Sequence, residues 1–353
     1  MRVLITGHEG YLGAVVAPMV AEAGHTVVGL DTGLFRHCRF GQEAPAPAES
    51  IQKDIRDASE ADFRGVDAVI HLAALCNDPL GDLNPGLTMD INHRATVRLA
   101  KLARQAGVKR FLVSSSCSMY GSAPDDRLVT EEAGFNPLTA YAKTKVLADE
   151  EISRLAGDSF SPVFLRNSTA YGPSPRLRLD LVLNNLVASA FTTGRVYLKS
   201  DGTPWRPLVH VRDIGRAFLA ALHAPRETIH NQSFNVGANG ENYQMRELAE
   251  FVKEAVPGSA IEYAPGAGPD TRCYRVDFTK INTRLPGFEL RHSARDGARE
   301  LYEAFRAGGL KAEDVESPRY QRLKQIRLAL ETGKLDDTLR WREEPRPASA
   351  EAA

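Results

Sequence analysis

Short apolar runs alternate with helix-period stretches through the first half of the chain. RVLIT (2–6) breaks at a glycine turn, and YLGAVVAPMVAEAG (11–24) then carries apolar residues at helical spacing until Gly24. HTVVGLD (25–31), VDAVIHLAA (66–74), VKRFLVSSS (108–116) and FSPVFLRN (160–167) repeat the strand pattern, the last closing the series. Between them lie the helical stretches LTMDINHRATVRLAKLARQAG (87–107) and AYAKTKVLADEEISRLAG (140–157). Strands that are apolar on both faces must be covered on both faces, which predicts an α/β fold with a doubly wound parallel sheet.

After about residue 171 the rhythm changes. Loops with Gly and Pro separate a helix around 180–192, a strand near 196–199, and the helical stretches VRDIGRAFLAALHAP (211–225) and QMRELAEFVKEAV (244–256). The expected division is a dinucleotide-binding (Rossmann) domain over 1–170, with a returning segment at about 208–238. A smaller mixed α/β substrate-binding part is expected over 171–207 and 239–343. Residues 344–353 lack a core pattern and are expected to be a disordered tail.

Composition narrows the function classes. With 353 residues and 43% hydrophobic side chains, the chain can bury one large core or two smaller ones. A formal charge of -1 offers no net basic field, so neither nucleic acid nor an anionic membrane is an expected partner. No apolar stretch reaches membrane-spanning length, and the chain opens directly in a strand, leaving no room for a signal peptide. Cys38, Cys76, Cys117 and Cys273 show no ligand spacing. A reduced, cytoplasmic setting without structural metal is therefore expected.

Candidate chemistry begins at TGHEGYLG, where Gly7, Gly10 and Gly13 lie between a strand and a helix. Glycines there permit a tight turn and close approach of backbone N–H groups to a pyrophosphate. Asp31 ends the second strand, where a carboxylate accepts ribose hydroxyls and repels a 2′-phosphate; this favours NAD, with Arg36 and Arg39 keeping NADP open. Asp54 and Ile55, in DIRD, are placed to flank the adenine. YAKTK sets Tyr141 and Lys145 four apart on one helical face. A phenol with an ordinary pKa near about 10 is a poor base. The Lys145 ammonium and a positive nicotinamide ring are expected to lower it and make Tyr141 a general base.

On these motifs, with HLAA (71–74), Asn92, SSSCSMYG (114–121), RNSTAYGP (166–173) and RPLVHVRD (206–213), the chain resembles the extended short-chain dehydrogenase/reductase family. The resemblance is to its nucleotide-sugar epimerase and dehydratase branch and covers about residues 2–290. It implies cofactor contacts from Gly7, Gly10, Tyr11, Leu12, Gly13, Asp31, Asp54, Ile55, Leu72, Ala73, Ala74, Asn92, Ser114, Tyr141 and Lys145, with Asn167 added. It makes Ser116 the hydroxyl that orients the reacting group. Strand alternation brings Ser118 to the same face if the strand continues and sends Ser115 and Cys117 to the other. Arg206 and Asn185 are the implied contacts to a substrate diphosphate, and a homodimer is implied through helices around 88–106 and 140–156.

The departures from the family pattern guide the choice of reaction. Thr169 stands where an asparagine is frequent, and Ala267 where an arginine is frequent, with Arg272 as a replacement. Asn77 or Asp78 is placed to face the sugar. The Asp–Glu pair that the resembled 4,6-dehydratases use to eliminate water is replaced by Cys117 and Ser118. The expected function is therefore NAD-dependent epimerisation of a nucleotide-diphosphate sugar, most simply at C4. A net dehydrogenase or ketoreductase is the alternative, followed by a 4,6-dehydratase and then a non-catalytic NAD-binding sensor.

Overall fold

A computed structural model describes residues 1–76, 78–122, 127–268 and 273–342. Asn77, Arg272 and the 344–353 tail lie outside the described residues.

Seven parallel strands make the central sheet: β1 (Arg2–Thr6), β2 (Thr26–Asp31), β3 (Glu49–Gln52), β4 (Ala68–His71), β5 (Arg110–Ser116), β6 (Ser161–Asn167) and β7 (Gln232–Val236). Their order is β7-β6-β5-β4-β1-β2-β3. The chain winds outward from β1 to β3, then returns to lay β4 on the other side of β1. That reversal opens a crevice at the carboxyl ends of β1 and β4, where α/β sheets bind ligands. The register aligns those ends, with Thr6 opposite both Leu30 and His71. The α/β doubly wound expectation therefore holds. The apolar series does not close at β6, however, because β7 arrives from the returning segment and pairs with β6 at the edge.

Alternation along β1 builds a core on each face of the sheet. Val3 and Ile5 pack with Val16 and Val20 of α1 (Gly13–Glu22) and with Phe218. Leu4 packs with Val28, Val69, Phe111 and Leu99 on the other side. Leu99 belongs to α2 (Thr96–Gln105), which continues a π-helical segment at Asp90–Ala95. Helix α3 (Ala140–Ser153) covers the same face. A separate cluster joins α4 (Val182–Thr193), α6 (Met245–Ala255) and α7 (Ala294–Gly308) through Leu183, Val187, Leu248, Val252, Leu301 and Phe305. Between them in sequence, α5 (Val211–His223) packs against α1. Helix α8 (Arg322–Glu331) returns to the face of the sheet that carries Leu4, through Ile326 and Ala329. Among the described residues, no helix is long and apolar enough to cross a membrane.

Candidate active site

A cavity of about 940 Å³ runs along the carboxyl edge of the sheet and reaches α4. Its floor is the glycine turn between β1 and α1. Gly7 sits at φ +76°, and a Cβ there would lie 2.7 Å from the Ala73 nitrogen. A Cβ at Gly13 would meet the Gly7 carbonyl at 2.1 Å. These contacts explain why the turn tolerates only glycine at both positions. Gly10, Tyr11 and Leu12 complete the turn and line the cavity. The Tyr11 side chain itself is buried and donates to the Gly172 carbonyl at 2.7 Å, tying the turn to the segment that leads to α4.

At the end of β2, Asp31 accepts from Glu9 N at 3.0 Å and Gly33 N at 2.8 Å. Burial pushes its carboxyl above the usual range, against the pull of these N–H groups and the His8 charge. Arg36 is paired with Glu9 at 3.0 Å, so its charge is already balanced beside Asp31. Asp54 is clamped by Arg56 at 2.6 Å, and Asp54, Ile55, Leu72, Ala73 and Ala74 all line the cavity. Asn92 does not. It is buried in the π-helical segment, its Oδ1 accepting from Leu75 N at 2.8 Å and its Nδ2 donating to Leu75 O at 2.9 Å. Both polar ends are spent on holding the 73–76 loop.

Thr139 caps α3 by accepting from Ala142 N, and its hydroxyl donates to Asp78 at 2.7 Å. The cap places Tyr141 in the first turn and Lys145 one turn later, both in the cavity wall. Lys145 donates to the Ser114 carbonyl at 2.7 Å and lies 5.7 Å from the centre of the Tyr141 ring. Ser116 lies beside the Tyr141 phenol and acts to lower its pKa. The expected lowering of that phenol by Lys145 does not prevail in the protein alone. Burial pushes Tyr141 above its ordinary value, with Cys76 acting in the same direction, against the pull of Ser116 and of the Arg178 charge; the Lys145 ammonium is turned to the Ser114 carbonyl.

The serine cluster resolves into distinct environments. Ser116 ends β5, donates to Ser118 Oγ at 2.9 Å and accepts from Ser118 N at 3.2 Å. Ser118 reaches the cavity through a 3₁₀ turn over Cys117–Tyr120, not through continued strand alternation. Ser114 accepts from Asn167 Nδ2 at 3.0 Å. Ser115 donates to Asp149 at 2.7 Å, and burial raises that carboxyl to about 6. Cys117 is buried, its thiol 3.0 Å from the Arg166 carbonyl and pushed up to about 12.

Toward α4, the cavity is lined by Thr169, Asn185 and Arg206. Asn185 donates to the Leu179 carbonyl at 2.9 Å, and Arg206 to the Trp205 carbonyl at 2.8 Å. Two further residues line this wall, Arg178 from the basic run SPRLRLD (174–180), which its sequence marks as a phosphate grip, and Cys76, which had no assigned role. Cys76 accepts from Arg178 Nη1 at 3.3 Å, and Arg178 pairs with Asp180 at 2.9 Å. Both come from loops distant in sequence and meet only because the sheet brings its carboxyl ends together. Elsewhere, His210, His292 and Glu300 lie close together, but the two rings stack 4.0 Å apart at 19°. Their in-plane lone pairs therefore run side by side and do not converge on one ion.

The cavity suits a dinucleotide. It offers the glycine turn at a helix N-terminus, a carboxylate at the end of β2, and the amide oxygen of Asn167, buried without a partner among the described residues.

Comparison with known proteins agrees. Residues 3–237 match the NAD dependent epimerase/dehydratase family. A UDP-glucose 4-epimerase of Corynebacterium glutamicum is 30% identical over 288 residues, 76% of this chain and 85% of that protein. UDP-glucuronic acid decarboxylase 1 of Arabidopsis thaliana is 28% identical over 324 residues, covering 87% of this chain and 70% of the relative. The structure of MoeE5 in complex with UDP-glucuronic acid and NAD superposes with a TM-score of 0.74 at 27% identity, covering 87% of this chain and 99% of that one. With the glycine turn, the sheet order and the matched residues in agreement, the chain belongs to the NAD-dependent epimerase/dehydratase family, and its cofactor is NAD.

Proposed function

We propose that this chain is a nucleotide-sugar epimerase acting at C4 by transient oxidation. The observation that carries the reading is the meeting of Ser116, Tyr141 and Lys145 at the carboxyl end of β5, with no acid at Cys117 or Ser118 to drive elimination. Tyr141, oriented by Ser116, takes the proton of the C4 hydroxyl as the C4–H bond breaks. Bound NAD⁺ would supply the hydride acceptor and donor for this carbon and a positive ring charge beside the phenol. Lys145 stabilises the phenolate from one helical turn away. The ketosugar then turns over, and Tyr141 gives the proton back to the new C4 oxygen.

In this proposal Gly7, Gly10, Gly13, Asp31, Asp54 and Ser114 hold the dinucleotide, while Thr169, Asn185 and Arg206 hold the nucleotide sugar. Arg178, whose charge reaches the phenol, is already balanced by Asp180. That pairing supports an uncharged sugar over a uronic acid. A homodimer through α2 and α3 is part of the same reading, checked by light scattering. The direct test incubates the purified protein with UDP-glucose and UDP-galactose separately and follows the products by NMR. Convergence on one mixture without net NADH supports the proposal, and stoichiometric NADH or released carbon dioxide contradicts it.

A further inference from the structure

The C-terminal segment brings one more cation to the cavity. Arg322 opens α8, well beyond the residues that match the family, and is among the largest fully buried side chains at 1% exposure. Its guanidinium lies 4.6 Å from the centre of the Phe35 ring, and its Nη2 donates to the Arg176 carbonyl at 2.7 Å. Its Nη1 is buried without a partner among the described residues, and the side chain lines the cavity. Two neighbouring arginines have counter-charges, Arg176 with Glu43 at 2.7 Å and Arg178 with Asp180 at 2.9 Å. Arg322 makes no ion pair among the described residues, and Asp180, whose charge reaches it, is already paired with Arg178. A buried guanidinium in that state is unfavourable unless a ligand supplies the missing negative charge.

The surroundings identify the anion. Phe35 lies in the loop that follows β2. Arg176 is bound to the glycine turn through Ser174, whose hydroxyl accepts from Arg176 N at 3.1 Å and donates to the Tyr11 carbonyl at 2.9 Å. Arg322 is thus tied to the turn at the N-terminus of α1. Its segment is anchored to the loop after β2, by Tyr320 to the Arg39 carbonyl at 3.1 Å and by Trp341 to the Thr32 carbonyl at 2.7 Å. We propose that Arg322 is a ligand of the NAD pyrophosphate, so that the C-terminal segment completes the cofactor site and clamps the loop after β2.

The test measures binding by calorimetry for ADP-ribose, ADP, adenosine and UDP in the full-length protein, together with NAD content after gel filtration. Arg322→Met keeps the stack on Phe35 and removes the charge; Arg322→Lys restores charge without the fork. Arg322→Met is expected to weaken ADP and ADP-ribose roughly 10- to 100-fold, as loss of a charged hydrogen bond predicts, with adenosine and UDP unchanged. Arg322→Lys should fall between Arg322→Met and wild type. Because the variant removes an unbalanced buried charge, its ligand-free melting temperature should not fall. ADP affinity within twofold of wild type in Arg322→Met, equal losses for adenosine, or a loss confined to UDP would each overturn the assignment.

Discussion

Replacing Ser116 and Cys117 one at a time separates the reacting face of β5 from its packed face. Ser116 lies beside the Tyr141 phenol, and turning its hydroxyl from Ser118 to the phenolate makes a hydrogen bond to a charged group, which contributes about 1.5–3 kcal/mol. If that bond forms with the phenolate, Ser116→Ala should cut kcat roughly 10- to 150-fold. It should also move the acid limb of the pH–rate profile upward, because the lost bond is one of the contributions that lower the phenol's pKa. Cys117 touches no reacting atom. Cys117→Ala removes a buried sulfur and its contact with the Arg166 carbonyl, costing about 1–2 kcal/mol of stability while kcat stays within about twofold. Initial rates from pH 5 to 9 and thermal melts of both variants decide the matter. Equal rate losses in the two variants, or an unshifted profile in Ser116→Ala, would refute the register of β5 on which the site rests.

Other outcomes follow from the same geometry. Tyr141→Phe should retain NAD after gel filtration while losing turnover by about 10²-fold or more, the scale of general acid–base catalysis. Gly13→Ala should abolish NAD retention, since a Cβ 2.1 Å from the Gly7 carbonyl forces the turn open; normal retention would contradict the close approach. Glu241 accepts from Ala294 N at 2.8 Å, and burial raises its carboxyl from 4.5 to about 7. The folded state thus holds this proton more tightly than the unfolded state. Its contribution to stability is full below pH 4.5 and is lost as pH rises through about 7, a change of about 3.5 kcal/mol at ~1.4 kcal/mol per unit. Urea melts of wild type and Glu241→Gln at pH 5 and 8 should show a smaller drop in the variant.

The sheet was legible where its strands are apolar on both faces, as in β1, where Val3 and Ile5 are buried on one side and Leu4 on the other; the edge strand β3, ESIQ, is mostly exposed and carries no such pattern. Strand β7 was harder to read. Its sequence QSFNV carries three polar residues, and it belongs to the sheet only through pairing with β6. The glycine turn and the Tyr141–Lys145 spacing are local patterns, so they showed in one dimension. Ser118 reached the cavity for a different reason than alternation, because Ser116 caps a 3₁₀ turn that ends the strand. Asn92 looked like a lining residue, yet both ends of its amide are taken by Leu75 in a π-helical segment that no periodicity announced. Cys76, Arg178 and Arg322 meet around one cavity from three remote parts of the chain. The basic run SPRLRLD marked Arg178 locally, but nothing short-range announced that Cys76 and Arg322 would join it.

The central claim is that one hydride leaves C4 of a nucleotide sugar and returns to the other face of the same carbon. UDP-glucose deuterated at C4, turned over by the purified protein and read by NMR, tests it most directly. The expected product is UDP-galactose that still carries deuterium at C4, with none exchanged to solvent and no net NADH. Loss of the label to the medium, or deuterium entering a neighbouring carbon from heavy water, would contradict it.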